Sequence, residues 1–136
     1  MDEAEQAFRN TLENNPKSAV AAFNLGVLLL NKDIDESRRL CRRATRLRPQ
    51  DDRYVYTYAY CLQQAEDLDA AIRELQNLVT AKSAYPPAYS LLIQLLLQQG
   101  RSQDALATGL EGVTNRALSP QDYQSLQQSI MAQQEV

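Results

Sequence analysis

Leu25, Tyr58, Leu92 and Leu126 stand 33, 34 and 34 residues apart. Ala22, Val55, Tyr89 and Tyr123 keep the same gaps, and so do Leu29, Leu62, Leu96 and Ile130. The three columns are themselves three and four positions apart, which is one face of one helix. A second group repeats in step: Ala4, Ser37, Ala71 and Ala105; Phe8, Cys41, Leu75 and Gly109; Thr11, Ala44, Leu78 and Gly112. Two apolar helical faces per period, held in register, confine a chain to stacked helix pairs. The first gap is short because the turn Asn31 to Asp33 is one residue tighter than the turn Gln64 to Asp67. Four glycines and five prolines in 136 residues are few. Helix interiors tolerate both badly, so composition agrees with an all-α chain.

Local signals place the helices. The first runs over 2–14, with Ala4, Phe8 and Leu12 along one side. Ser18 caps a helix from Ala19 to about Asn31, and Asp33 with Glu36 reads as a capping box for a helix to Arg48. Pro49 stops that helix, since its ring clashes with the preceding turn. Asp51 and Asp67 cap the two arms of the central hairpin. Pro86 and Pro87 fit only a first turn, which predicts a helix from Pro86 to about Gln99, closed by Gly100. Ser102 begins the next, to about Asn115. Ser119 and Pro120 open the last, with Tyr123, Leu126 and Ile130 facing inward.

A two-helix unit of about 34 residues resembles the tetratricopeptide repeat family. Leu25-Gly26 matches the Leu-Gly pair of its first helix. Ala71 and Ala105 match the small residue of the second helix, Ala44 the alanine one turn from its end, and Pro16 and Pro49 the closing proline. The resemblance implies a right-handed superhelical solenoid of about eight antiparallel helices. It divides as a half-repeat helix over 2–14, repeats over 19–51, 52–85 and 86–118, and a closing helix over 119–134, all in one domain. There are departures. Ile93 stands where Gly26 and Ala59 stand, which predicts a spread third hairpin. Ser83 replaces a closing proline, and Gly109 and Gly112 either weaken their helix or admit a neighbour.

The resemblance also implies a function: a protein-interaction scaffold whose first helices line a concave groove for an extended or helical peptide. Carried over by register, the groove takes Phe23, Asn24, Val27 and Asn31, then Arg53, Tyr56, Tyr60 and Gln63, then Ser90, Leu91, Gln94 and Gln98. Tyrosine supplies rigid area with a polar tip, which suits a binding surface; the plainer alternative has Tyr56 or Tyr60 packed on a neighbouring helix. Asn24 and Arg53 fit a clamp for a carboxylate tail, as in the chaperone-binding branch. Phe23 and Val27 replace the lysine and asparagine such a clamp needs, which argues against it.

Other chemistry finds little support. Histidine is absent, which removes the commonest general base and metal ligand. No Gly-rich phosphate loop or calcium loop occurs, so neither an enzyme nor a cofactor is expected. Cys41 and Cys61 lack metal or haem spacing and read as buried thiols, with a disulfide the minor alternative. Net charge −3 argues against general nucleic-acid binding. Arg38, Arg39, Arg42, Arg43, Arg46 and Arg48 form a basic run that could meet an acidic partner, or simply suit a helix C-terminus. No 18-residue apolar run spans a membrane. No signal peptide is visible, so a soluble chain is expected, with cytoplasm and periplasm both open. In register, the first helix lacks its mate. This suggests a piece of a longer protein, or a homodimer through the Ala4/Phe8/Leu12 face. A further alternative is an accessory domain of an enzyme or envelope protein: Arg53 to Leu62 is faintly similar to repeats in bacterial envelope and respiratory proteins.

Overall fold

The computed structural model describes residues 2–134, and these form eight α-helices and no strand. In order they are α1 (Glu3–Asn14), α2 (Ala19–Leu28), α3 (Ile34–Leu47), α4 (Asp52–Gln64), α5 (Leu68–Thr80), α6 (Pro86–Gln98), α7 (Ser102–Thr114) and α8 (Pro120–Gln134). They fall into two compact units, one ending at Glu74 and the other beginning at Leu75.

In the first unit each helix start is set by a short polar side chain. Asp2, Ser18, Asp33 and Asp51 accept backbone N–H bonds from Glu5, Ala21, Glu36 and Arg53, at 2.7, 3.2, 3.1 and 3.1 Å. Such caps satisfy donors the helix itself cannot. The box at Asp33 closes from one side only. The Glu36 carboxylate does not turn back to its own cap; it accepts from Arg9 of α1 at 2.5 Å. α2 ends at Leu28, earlier than expected, because Leu30 N–H bonds the Val27 carbonyl and tightens the last turn.

The core here joins Ala22, Phe23 and Leu25 of α2, and Leu29 just past its end, to Leu40 and Ala44 of α3 and Tyr54 of α4. Phe8 and Leu12 of α1 pack on it, so the face expected to lie bare is partly covered, while Ala4 stays exposed. Gly26 lets α2 and α3 meet: a Cβ there would lie 2.7 Å from Cys41 Sγ. Ser37, fully buried, donates to the Gly26 carbonyl at 2.5 Å. Cys41 and Cys61 are buried free thiols with sulfurs 3.3 Å apart. The hydrogen bond to Cys61 and burial push the Cys41 thiol up, so it stays protonated and inert at neutral pH.

In the second unit, α6 supplies Tyr89, Leu92, Leu95 and Leu96. The Tyr89 hydroxyl donates to the Ser83 carbonyl at 2.6 Å and accepts from Asn115 at 2.9 Å. The glycines of α7 are places of close approach. A Cβ on Gly112 would fall 2.6 Å from Leu118, and one on Gly109 2.9 Å from Leu126 of α8. Ser119 and Asp122 form the reciprocal box that Asp33 lacks, at 3.0 and 2.9 Å.

The expected columns are inside. Leu25, Leu92, Leu29, Leu62, Leu96 and Ile130 are buried, and Tyr58 and Leu126 half-buried. Ser37, Ala71 and Ala105 are fully buried, as is Ala44.

Candidate functional site

In the first unit α2 and α4 meet through an aromatic stack. The rings of Phe23 and Tyr54 lie 4.3 Å apart at 11°. The Arg53 guanidinium sits 5.0 Å from the Phe23 centroid and 5.8 Å from that of Tyr54. A cation over aromatic faces is favourable, by roughly 0.5–1 kcal/mol at an exposed site. Arg53 itself is exposed, so its position is held without loss of contact with water.

Around this stack lie several of the residues that register assigned to a groove. Val27 is 41% exposed and Tyr60 37%; Asn24, Tyr56 and Gln63 are half-buried, and Asn31 is exposed. Val27 and Tyr60 occupy the same position of successive repeats, 33 residues apart. Phe23 differs from expectation. It is a core residue, 9% exposed, because Tyr54 covers its ring. On α6 in the second unit, Ser90, Gln94 and Gln98 are exposed, whereas Leu91 is buried.

Val20, 46% exposed on α2, escaped the reading of the sequence. Its spacing to Asn24 and Val27, four and then three, puts all three on one stripe. The clue was present: Val20 precedes Arg53 by one period of 33 residues.

The arginines of α3, and Arg48 just past its end, divide by neighbour. Arg38 pairs with Asp35 at 3.5 Å, Arg43 donates to the Pro16 carbonyl, and Arg48 reaches the Tyr54 hydroxyl at 3.5 Å. Tyr58 of α4 is half-buried near this run. Burial pushes its phenol up, Arg42, Arg38 and Arg46 pull it down, and Glu74 opposes them. Among the described residues no cluster of histidine, cysteine or acid could hold a metal ion, and no helix is long and apolar enough to cross a membrane.

The comparisons with known proteins agree with this geometry. A family model of the tetratricopeptide repeat matches residues 1–52 and 56–122. No curated protein sequence matches the chain. Among solved structures, a crystal structure of MamA superposes with a TM-score of 0.72 at 16% identity, covering 85% of this chain and 75% of that one. A second MamA crystal structure gives 0.71 at 16% identity, over 82% of this chain and 62% of that one. A MamA RS-1 ArsTM double mutant gives 0.64 at 17% identity, over 85% and 76%. At such identities the likeness is one of fold. The repeat match spans most of the chain, and the chain belongs to the tetratricopeptide repeat family, whose arrays act as protein-interaction scaffolds.

Proposed function

We propose that this chain is a non-catalytic scaffold that holds a segment of a partner protein against the surface made by α2 and α4. Val20, Asn24 and Val27 would supply one wall, and Arg53, Tyr56, Tyr60 and Gln63 the other. The observation that carries this reading is the pair Val27 and Tyr60, large apolar side chains exposed at one repeated position. Neither is needed to close the core, which Leu25, Leu29 and Leu62 already fill. A surface presented by rigid helices costs little ordering on the scaffold side when a segment binds. The half-buried amides of Asn24 and Gln63 are suited to a partner's backbone groups. Gln94, at the equivalent position of α6, extends the same register in the second unit. In this reading the repeats run 19–51, 52–85 and 86–118, with 2–14 a half-repeat and 119–134 a closing helix.

The test is capture of partners by the chain and by its Tyr56→Ala/Tyr60→Ala variant. We expect recovery to fall about tenfold or more, the size usual for losing hot-spot aromatics, with the helical circular dichroism unchanged. Equal recovery by both proteins would remove this surface as the site.

A further inference from the structure

A second surface lies elsewhere on the first unit. Between α1 and α3 opens a cleft of about 520 Å³, floored by Leu12, Leu25 and Leu40 and walled by Arg9, Arg39 and Arg43. Leu25 is two residues from Val27, about 200° round the helix, so α2 shows the cleft and the α2–α4 surface on different sides.

The second unit contains the same cleft two repeats later. It lies between α5 and α7, over Leu92 and Leu96, and measures about 340 Å³. Leu25 corresponds to Leu92, Leu12 to Val79, and Leu40 to Thr108, all of which line it. The positions of Arg9, Arg39 and Arg43 correspond to Gln76, Ala107 and Glu111, which also line it. The repeat thus builds this cleft without arginine at those three positions; Arg101, which also lines the second cleft, is paired with Asp104 at 2.9 Å. The three arginines of the first cleft are not required to form it, and they reverse its charge.

Two of them are held in place. Arg9 is gripped by Glu5 at 3.1 Å and Glu36 at 2.5 Å, and Glu36 in particular raises its pKa. Arg43 is bonded to the Pro16 carbonyl, a contact that leaves its charge uncompensated. Arg39 is exposed and, among the described residues, has no ion pair. With Glu36 engaged, Glu13 is the remaining acid of the cleft against Arg39 and Arg43. The helix behind them carries Arg38, Arg39, Arg42, Arg43 and Arg46 against Asp35 and Glu36. This basic surface sits on a chain of net charge −3.

We propose that this cleft docks an acidic segment of a partner protein. An apolar side chain of the segment rests on the leucine floor, and flanking carboxylates meet Arg39 and Arg43. Guanidinium forks match carboxylates with two parallel hydrogen bonds, and an apolar floor lowers the local dielectric, which strengthens them.

The probe is a fluorescent peptide with one leucine flanked on both sides by aspartate and glutamate, titrated by anisotropy at physiological ionic strength. The variants are Arg39→Glu, in the cleft and unpaired, and Arg46→Glu, on the same helix but outside the lining. Both remove the same charge from exposed positions, and circular dichroism checks their folding. We expect saturable binding to the unmodified chain, weakened about tenfold or more by Arg39→Glu. Arg46→Glu should change it at most about twofold, as a screened distant charge, and Tyr60→Ala should leave it unchanged. No binding to the unmodified chain, or equal losses for Arg39→Glu and Arg46→Glu, would overturn the proposal. Loss in Tyr60→Ala would overturn it too, by moving the peptide to the α2–α4 surface.

Discussion

Gly26 and Cys41 stand closer than any side chain on Gly26 would permit. A Cβ would lie 2.7 Å from the cysteine sulfur and 3.3 Å from both the Cys41 nitrogen and the Ser37 carbonyl oxygen. Two of those three neighbours are backbone atoms of α3, which cannot turn aside. The approach also sets the bond from Ser37 to the Gly26 carbonyl.

Gly26→Ala therefore has two opposed effects. Alanine improves helix propensity by about 1 kcal/mol, and overpacking costs about 1–3 kcal/mol. The backbone contacts decide the sign, and we expect a net loss of about 1–2 kcal/mol in urea unfolding. Adding Cys41→Ala removes the sulfur, so the double variant should lose less than the sum of the two single changes. Strict additivity would show that the sulfur contact is not the source.

Four helix ends share one form. Glu66, Lys82, Gly100 and Arg116 have φ of 63°, 61°, 73° and 63°. In each case the next N–H bonds back to a carbonyl of the last turn: Asp67 to Leu62, Ser83 to Leu78, Arg101 to Leu96, and Ala117 to Gly112. Left-handed backbone favours glycine, yet one of these four positions has it. Lys82→Gly and Arg116→Gly should each raise stability by about 0.5–1 kcal/mol, the relief of a Cβ clash less the added freedom of the unfolded chain. A lower thermal midpoint in both variants would contradict this.

Acid should loosen the start of α8 before the core. Asp122 accepts from the Ser119 backbone N–H, and this bond foremost, with the Ser119 hydroxyl, holds its carboxyl below the ordinary value of 3.8. A carboxylate depressed in the folded state stabilises fully above its unfolded pKa, and that contribution is lost as pH falls through the folded value. Between neutrality and pH 5 the α8 amides should thus show constant hydrogen-exchange protection; below 3.8 it should decline. In Asp122→Asn the acid-dependent step should disappear. If it persisted unchanged, another carboxylate would be responsible.

The repeat and most helix starts could be read from the chain because their causes are local. A cap needs a polar side chain and an N–H two or three residues away, as at Ser18, Asp51 and Ser119. A buried column needs a spacing. Such requirements leave their mark on neighbouring residues in any chain. Phe23 shows the limit. Register placed it on a binding face, and the ring of Tyr54, 31 positions away, made it core.

Glu36 shows the same limit for charge. Its position promised a capping box, but Arg9, 27 residues earlier, claimed its carboxylate with a stronger, charge-assisted bond. The ends at Glu66, Lys82 and Arg116 carry no glycine to announce them, because the backbone bond across each turn offsets the local penalty. The basic run on α3 was plain from composition. That Arg39 and Arg43 line a leucine-floored cleft with Arg9, while Arg46 does not, followed from packing alone. Spacing along a chain governs which faces must be hidden; which side chains then meet depends on groups distant in sequence, whose contacts no local pattern encodes.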